Sequence, residues 1–306
     1  MLVYKELFKY LKAHEDVPCY KNGEPGYPHN FTELAVQITA ACNGHCKFCC
    51  NSKSDDYNFS FEKFKEMFLE LQPVLPIDQV SFTGGEPTLF AKIIDVMQWI
   101  RTQDPKIGFH INTNGSNLSL LKEIADVGNV DIRLSRHHYD DKTNAEIFGS
   151  THIPTLDQLQ NLGLRLLIHC NLMQGYIDSP QECTNFIYHM ATHGIRDIGF
   201  ITLMPYTDWA REHFVQFRAN ALLGQRFPNG KVIGALNYDR QAIRHDVCCC
   251  EHVHFGVPNI MPQVYVMFKH RINIGDLCPV KLNFVYNHNK LLHGFNGEVV
   301  WQSDKE

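Results

Sequence analysis

The chain has no long hydrophobic run: nothing in its 306 residues approaches the roughly 18 unbroken apolar residues that a spanning helix requires. With a mean hydropathy of −0.24, a bundle of membrane helices is excluded. It also has little excess charge, 28 Lys and Arg against 33 Asp and Glu, and the net −5 disfavours a nucleic-acid partner. Internal repeats and low-complexity linkers are absent. The first residues, MLVYKELFKYLKAHED, mix charge through their apolar positions and read as neither a signal peptide nor an anchor. A hydrophobic share of 44% rules out a disordered chain. What the chain does have is cysteine, eleven of them. Without a secretion signal, this count points to a reducing, cytoplasmic setting in which clustered thiols serve as metal ligands or reactive groups.

The cysteines are unevenly placed. Cys42, Cys46, Cys49 and Cys50 fall within nine residues, and Cys248, Cys249 and Cys250 are consecutive, with Cys278 downstream. Cys19, Cys170 and Cys183 stand alone and read as small buried hydrophobes.

Residues 1–16 have the spacing of an amphipathic helix, and residues 18–30, rich in Pro and Gly, read as a loop. From residue 34 to about 225, short apolar runs alternate with helical periods. Strands are expected at 34–39, 79–83, 107–112, 129–135, 164–171 and 197–204. Helices are expected at 61–71 (N-capped by Ser60), 89–100, from 118, through to about 162, and at 181–192. Six strand-then-helix units of this texture imply a parallel sheet with helical crossovers, either an open or partial barrel or a doubly wound sheet. In both, the chemistry is expected in the loops after the strands' C-terminal ends. Beyond residue 230, strands at 264–268, 282–286 and 299–301 lack intervening helices. The expected division is therefore 1–33, a helix and loop; 34–225, the core; and 226–306, an extension of mixed or β character.

The segment Cys42-Asn43-Gly44-His45-Cys46-Lys47-Phe48-Cys49-Cys50 lies just past the first expected strand, where a loop can wrap its thiolates round one metal centre. A structural zinc site wants four ligands, usually as paired CxxC halves. Three thiolates on a four-iron cluster would leave one iron open. After the second strand comes Thr83-Gly84-Gly85-Glu86-Pro87, where the missing side chains would let a ligand's polar atoms approach the backbone. Glu86 or the neighbouring backbone could then meet an ammonium. The plain alternative is a strand-ending turn.

Cys42-x3-Cys46-x2-Cys49, followed one unit later by Gly84-Gly85-Glu86-Pro87, resembles the signature of the radical S-adenosylmethionine (radical SAM) superfamily. The resemblance runs from residue 35 to about 205. It implies a partial (β/α)6 barrel, a [4Fe-4S] cluster on Cys42, Cys46 and Cys49, and S-adenosylmethionine (SAM) on the open iron. Reductive cleavage of SAM would give a 5′-deoxyadenosyl radical that abstracts a hydrogen atom from a substrate. By the same resemblance, Gly84, Gly85 and Glu86 would hold the methionine amino group. Asn114 (in Asn112-Thr113-Asn114-Gly115) and Ser135 would lie near the ribose, His169 would make a polar contact, and Leu203 would pack on the adenine. An external electron donor such as flavodoxin or ferredoxin is implied as a partner.

Cys248, Cys250 and Cys278, with His252 or His254, could hold a second, auxiliary iron–sulfur cluster. One of these cysteines could instead donate a hydrogen atom to a substrate radical, or they could be buried thiols in a β extension. His137-His138 could face the substrate as a proton donor, since imidazole titrates near neutrality, against a bland hydrogen-bonded role. Three functions remain: a radical SAM enzyme acting on a peptide, one acting on a small molecule or nucleotide, and a non-catalytic zinc-binding interaction module.

Overall fold

A computed structural model describes residues 20–21, 24–25, 31–49, 51, 57, 59–73, 75, 77–238, 250–269, 281–293 and 299–302. The expected helix over 1–16 lies outside the described residues. The first pairing is a small hairpin, β1 (Tyr20–Lys21) with β2 (Glu24–Pro25), inside the Pro- and Gly-rich stretch.

The main body follows the alternating pattern. β3 (Phe31–Thr39), β4 (Gln79–Gly84), β5 (Gly108–Thr113), β6 (Val130–Ser135), β7 (Leu166–Leu172) and β8 (Asp197–Thr202) pair in chain order, all parallel. The extension supplies β9 (Asn237–Tyr238), β10 (Cys250–Val257), β11 (Met261–Lys269), β12 (Lys281–Asn287), β13 (Lys290–His293) and β14 (Val299–Gln302). It does not form a separate sheet. β11 pairs parallel with β8 and β12 pairs parallel with β3, so both edges of the six-strand core are covered. The result is one twelve-stranded sheet among the described residues. The core's unpaired N–H and C=O groups at either edge thereby find partners, which removes two sites of unwanted strand pairing.

The helices form where the apolar period demanded them. Phe61–Leu71 buries Phe64, Met67, Phe68 and Leu71, and Ser60 Oγ accepts from the Lys63 N–H at 3.3 Å. Trp99, from the helix Ile93–Gln103, packs edge-on against Phe64 and Phe68. That helix begins four residues later than the periodicity predicts, because Pro87–Leu89 forms a 3-10 turn capped by Glu86. The helical stretch before residue 162 splits into Asp141–Phe148 and Leu156–Leu162, because Gly149 ends the first in the left-handed region (φ 59°).

The strands are not apolar on both faces. In β7, Leu166, Ile168, Cys170 and Leu172 are buried, while Leu167, His169 and Asn171 between them are half-exposed. Register carries this across the sheet: Ser81 lies beside His110 and Asp131, Asn112 beside Arg133, and Ser135 beside His169. One face packs on the helices. The other is a polar face, and along its C-terminal edge lie the loops that carry the site.

Candidate active site

The cysteine loop leaves β3 at Thr39 and is held by its neighbours at both ends. On one side, the Gly85 N–H donates to Thr39 O at 2.7 Å and the Glu86 N–H to Ala41 O at 2.8 Å. A Cβ at Gly85 would stand 2.0 Å from Ala41 O, and one at Gly84 would stand 2.1 Å from Thr39 O. The diglycine therefore lets the cysteine loop's backbone pass against the end of β4. On the other side, the His45 N–H donates to Phe148 O at 2.6 Å, docking the loop on the C-terminus of the helix Asp141–Phe148.

Cys42 and Cys46 are half-buried, Cys49 is exposed, and none of the three is in a disulfide. The Gly44 N–H points at Cys42 Sγ, 3.3 Å away. A Cβ at Gly44 would lie 3.6 Å from Cys42 Sγ and 3.8 Å from Cys46 Sγ, so glycine keeps the space between the two sulfurs clear. Among the described residues no three His, Cys, Asp or Glu side chains converge on a single-ion site. A structural zinc site takes four ligands, whereas three thiolates on a four-iron cluster leave one iron open.

Glu86 is 1% exposed, and its carboxylate accepts four hydrogen bonds from the protein. Oε1 takes the Thr88 N–H (3.1 Å), the Thr88 hydroxyl (2.7 Å) and the Thr113 hydroxyl (2.6 Å); Oε2 takes the Asn114 N–H (2.7 Å). Asn114, itself buried, uses its Nδ2 to donate to Asn43 Oδ1 at 2.8 Å and its Oδ1 to accept from the Ser116 N–H at 2.9 Å. Cysteine loop, diglycine loop and Asn114 turn are thus one hydrogen-bonded unit across the ends of β3, β4 and β5. Asn43 and Thr113 were not singled out from sequence. Asn43 sits inside the cysteine motif, where a side-chain amide beside a ligand was the available signal.

Ser135 ends β6 and lies in register with His169 on β7. His169 lies across β8 over Gly199, where a Cβ would come within 2.9 Å of the imidazole and of Met267 Cε. Leu203 is 2% exposed and belongs to a small apolar cluster with Ile147, Met173 and Ala210, against which Phe48 and Trp209 pack. Phe48 is the aromatic residue before Cys49, so this cluster anchors the far end of the cysteine loop. The same Phe48 meets His137 edge-on at 5.0 Å, and His137 stacks on Phe148 at 4.9 Å.

His137 does not titrate near neutrality. Burial, with the neighbouring Arg136 charge, pushes its pKa down to about 3. Its Nδ1 accepts from the Asn171 N–H at 3.1 Å, so the neutral ring carries its proton on Nε2. The proton-donor role is thereby corrected to a packing and hydrogen-bonding one. His138 accepts the Asp140 N–H on Nδ1 at 2.9 Å, the bland alternative. Arg136 is fully buried, donating to Pro154 O at 3.0 Å and Tyr139 O at 3.2 Å and pairing with Asp141.

Cys170 and Cys183 are fully buried, and burial pushes both thiols well above their usual range. Cys19, Cys50, Cys248, Cys249 and Cys278 lie outside the described residues. Of the second cluster's ligand set, position 250 opens β10, opposite Lys269 on β11.

A family model described as the radical SAM superfamily matches residues 36–217, more than half of the chain. The chain belongs to the radical SAM superfamily. It is therefore an enzyme of the class that uses a [4Fe-4S] cluster and SAM, and the zinc-module reading falls away. The GTP 3′,8-cyclase of Alkaliphilus oremlandii (strain OhILAs) is 27% identical over 218 residues, covering 66% of each chain. Molybdenum cofactor biosynthesis protein 1 of Drosophila melanogaster is 23% identical over 219 residues, 68% of this chain and 38% of that one. The chain thus matches between 38% and 66% of these relatives' lengths. Among solved structures, Streptococcus suis SuiB bound to S-adenosylmethionine aligns with a TM-score of 0.57 at 17% identity, over 90% of this chain and 67% of that one. That likeness is one of fold.

Proposed function

We propose that this radical SAM enzyme holds its [4Fe-4S] cluster on Cys42, Cys46 and Cys49 and binds SAM across the strand ends between the Gly84-Gly85-Glu86 loop, Asn114, Ser135, His169 and Leu203. The observation that carries this reading is the hydrogen-bonded unit joining the cysteine loop to Glu86 and Asn114. When bound, the reduced cluster and SAM supply a 5′-deoxyadenosyl radical able to take a hydrogen atom from an otherwise unreactive carbon.

The chain's own residues do the rest. The Gly44 gap leaves room between the Cys42 and Cys46 sulfurs. Of the three diglycine-loop carbonyls, Gly84 O accepts from Asn51 Nδ2 and Glu86 O from the Leu89 N–H, so the Gly85 carbonyl is the natural acceptor for the methionine ammonium. The cluster around Leu203 offers an apolar wall for adenine. Gln37, Asn112, Arg133 and Asn171 on the polar face would orient a hydrophilic substrate near the radical.

The substrate reading remains a peptide undergoing modification, with a small molecule or nucleotide as the second. The likeness to SuiB, one of whose structures is bound to its precursor peptide, supports the first across both core and extension. The cyclases named for GTP support the second. Residues 226–306 are read as an extension that closes the core's edges and carries the second cluster on Cys248, Cys250 and Cys278. An external reductant, flavodoxin or ferredoxin, is read as the electron partner. The test is anaerobic incubation of the reconstituted enzyme with SAM, reductant and either peptide extract or GTP. Deoxyadenosine that rises only with peptide supports the first reading, a rise only with GTP supports the second, and none with either refutes both.

A further inference from the structure

The polar face of the sheet sorts its charges along the strands. Near the N-terminal ends of β3, β6 and β8 it carries Glu33, Asp131 and Asp197. Register puts all three on that face: Glu33 lies beside Gln79, Asp131 beside His110, and Asp197 between Leu167 and Tyr265. Asp197 pairs with Arg165 at 2.9 Å, and Asp131 meets His110 at 3.1 Å. Toward the C-terminal ends, where the candidate site lies, the sign reverses. Among the described residues of β3 to β8 and β11, the face there carries Arg133, in the middle of β6, and Lys269, at the end of β11, and no carboxylate.

Arg133 stands two residues before Ser135 on the same face, about 7 Å further from the strand end. Its register neighbour on β5 is Asn112. Its Nη2 lies 3.1 Å from His110 Nε2, so a buried ring sets its position. Burial lowers the His110 pKa, and the Arg133 charge acts in the same direction, so the ring is neutral and leaves the guanidinium's charge in place. Asp131, on the far side of His110, is 73% exposed, and water screens its charge. A guanidinium presents a fork of N–H donors that matches a planar carboxylate. One guanidinium also balances a carboxylate's single charge, whereas a triphosphate carries several.

We propose that the substrate is an acidic peptide and that Arg133 anchors its carboxylate on the polar face, beneath the SAM site. The proposal rests on the reading of these strand ends as the SAM site and of the substrate as a peptide.

The experiment uses the cluster-reconstituted enzyme with SAM and reductant, and reads the rise in deoxyadenosine on adding peptide extract. Extract whose carboxyl groups have been converted to methylamides is expected to give a rise at least about ten times smaller than untreated extract. Equal rises from the two would overturn the proposal and leave the radical chemistry standing. Arg133→Met is expected to cut the response to untreated extract by about 10–100-fold, the scale of a charge-assisted hydrogen bond, with SAM affinity within about twofold of the wild type. Arg133→Lys keeps the charge without the fork and is expected to recover part of the response. An undiminished response in Arg133→Met would refute the anchor. A matching loss of SAM affinity would assign Arg133 to the carboxylate of SAM itself and overturn the proposal, as would a wild-type response to GTP and not to peptide. The comparison of treated with untreated extract needs only the wild type, so it decides even where Arg133→Met takes up less iron. No SAM binding and no deoxyadenosine from the wild type would overturn the site reading itself.

Discussion

Replacing Gly85 by alanine probes why the diglycine is there. Gly85 is not in the left-handed region, so alanine meets no backbone penalty of its own. The cost is contact: the new Cβ would stand 2.0 Å from Ala41 O, 2.6 Å from Ala41 C and 2.7 Å from Ala40 O, all backbone atoms that no rotamer change can move aside. The cysteine loop and the end of β4 must separate by about an ångström or more to reach ordinary contact. That separation breaks the Gly85–Thr39 and Glu86–Ala41 hydrogen bonds of 2.7 and 2.8 Å. At about 0.5–1.5 kcal/mol each, with residual strain of similar size, the loss comes to about 2–4 kcal/mol, a large part of the ~5–15 kcal/mol that holds a domain folded. Gly194→Ala is the control, since its φ is +76° and nothing lies within 4 Å of a Cβ there. It carries only the left-handed penalty, about 1–2 kcal/mol. Equilibrium urea unfolding of the apoprotein measures both, and iron uptake on reconstitution reports the loop. Gly85→Ala no less stable than Gly194→Ala, with wild-type iron uptake, would refute the close-passage argument.

Phe64→Ala removes a fully buried ring touching Phe59, Phe68, Trp99 and Tyr286, and is expected to cost about 3–5 kcal/mol in urea unfolding. Asp141→Ala strips the buried Arg136 of its carboxylate and Leu156 N–H of its acceptor. Because Asp141 is 43% exposed, the expected loss is about 2 kcal/mol, below the range for a fully buried pair. His137 is neutral in the folded protein down to pH about 3, whereas the unfolded chain takes up its proton below about 6.5. The unfolded state therefore binds more protons in that window, and stability drops as pH is lowered, by about 1.4 kcal/mol per pH unit from this group. His137→Phe is expected to flatten the acid limb of the stability profile by that slope between pH 6 and about 4.5, and an unchanged slope would contradict the buried neutral assignment.

Much of the core was legible because each signal had a single physical source. Ser60 capped its helix, and Phe64, Phe68 and Leu71 faced inward as their spacing required. The parallel order followed from six strand–helix units. Three features were hidden for identifiable reasons. The polar face was written into alternating residues such as His110 and Asn112, or His169 and Asn171, but short apolar runs drew the eye to the helix-facing half. In β10, buried Val253 and Phe255 alternate with His252 and His254, a strand pattern that the weighing of those histidines as possible ligands obscured. The pairing of β11 with β8 and of β12 with β3 depends on long-range contacts that no local pattern encodes. At the candidate site, the contacts that the motif residues make within the protein were not legible. Gly84 and Gly85 make room for backbone and Glu86 binds its own loops, which only the closeness of Thr39, Ala41 and Asn114 reveals.

The central claim is that Cys42, Cys46 and Cys49 hold the cluster at which SAM is cleaved. Its most direct test is anaerobic reconstitution of the wild type and of the triple Cys→Ala variant at these positions, with iron counting and assay of 5′-deoxyadenosine under reductant. The account predicts that the variant contains about four fewer irons per chain than the wild type and forms no deoxyadenosine. Equal iron and equal deoxyadenosine from the two proteins would contradict it.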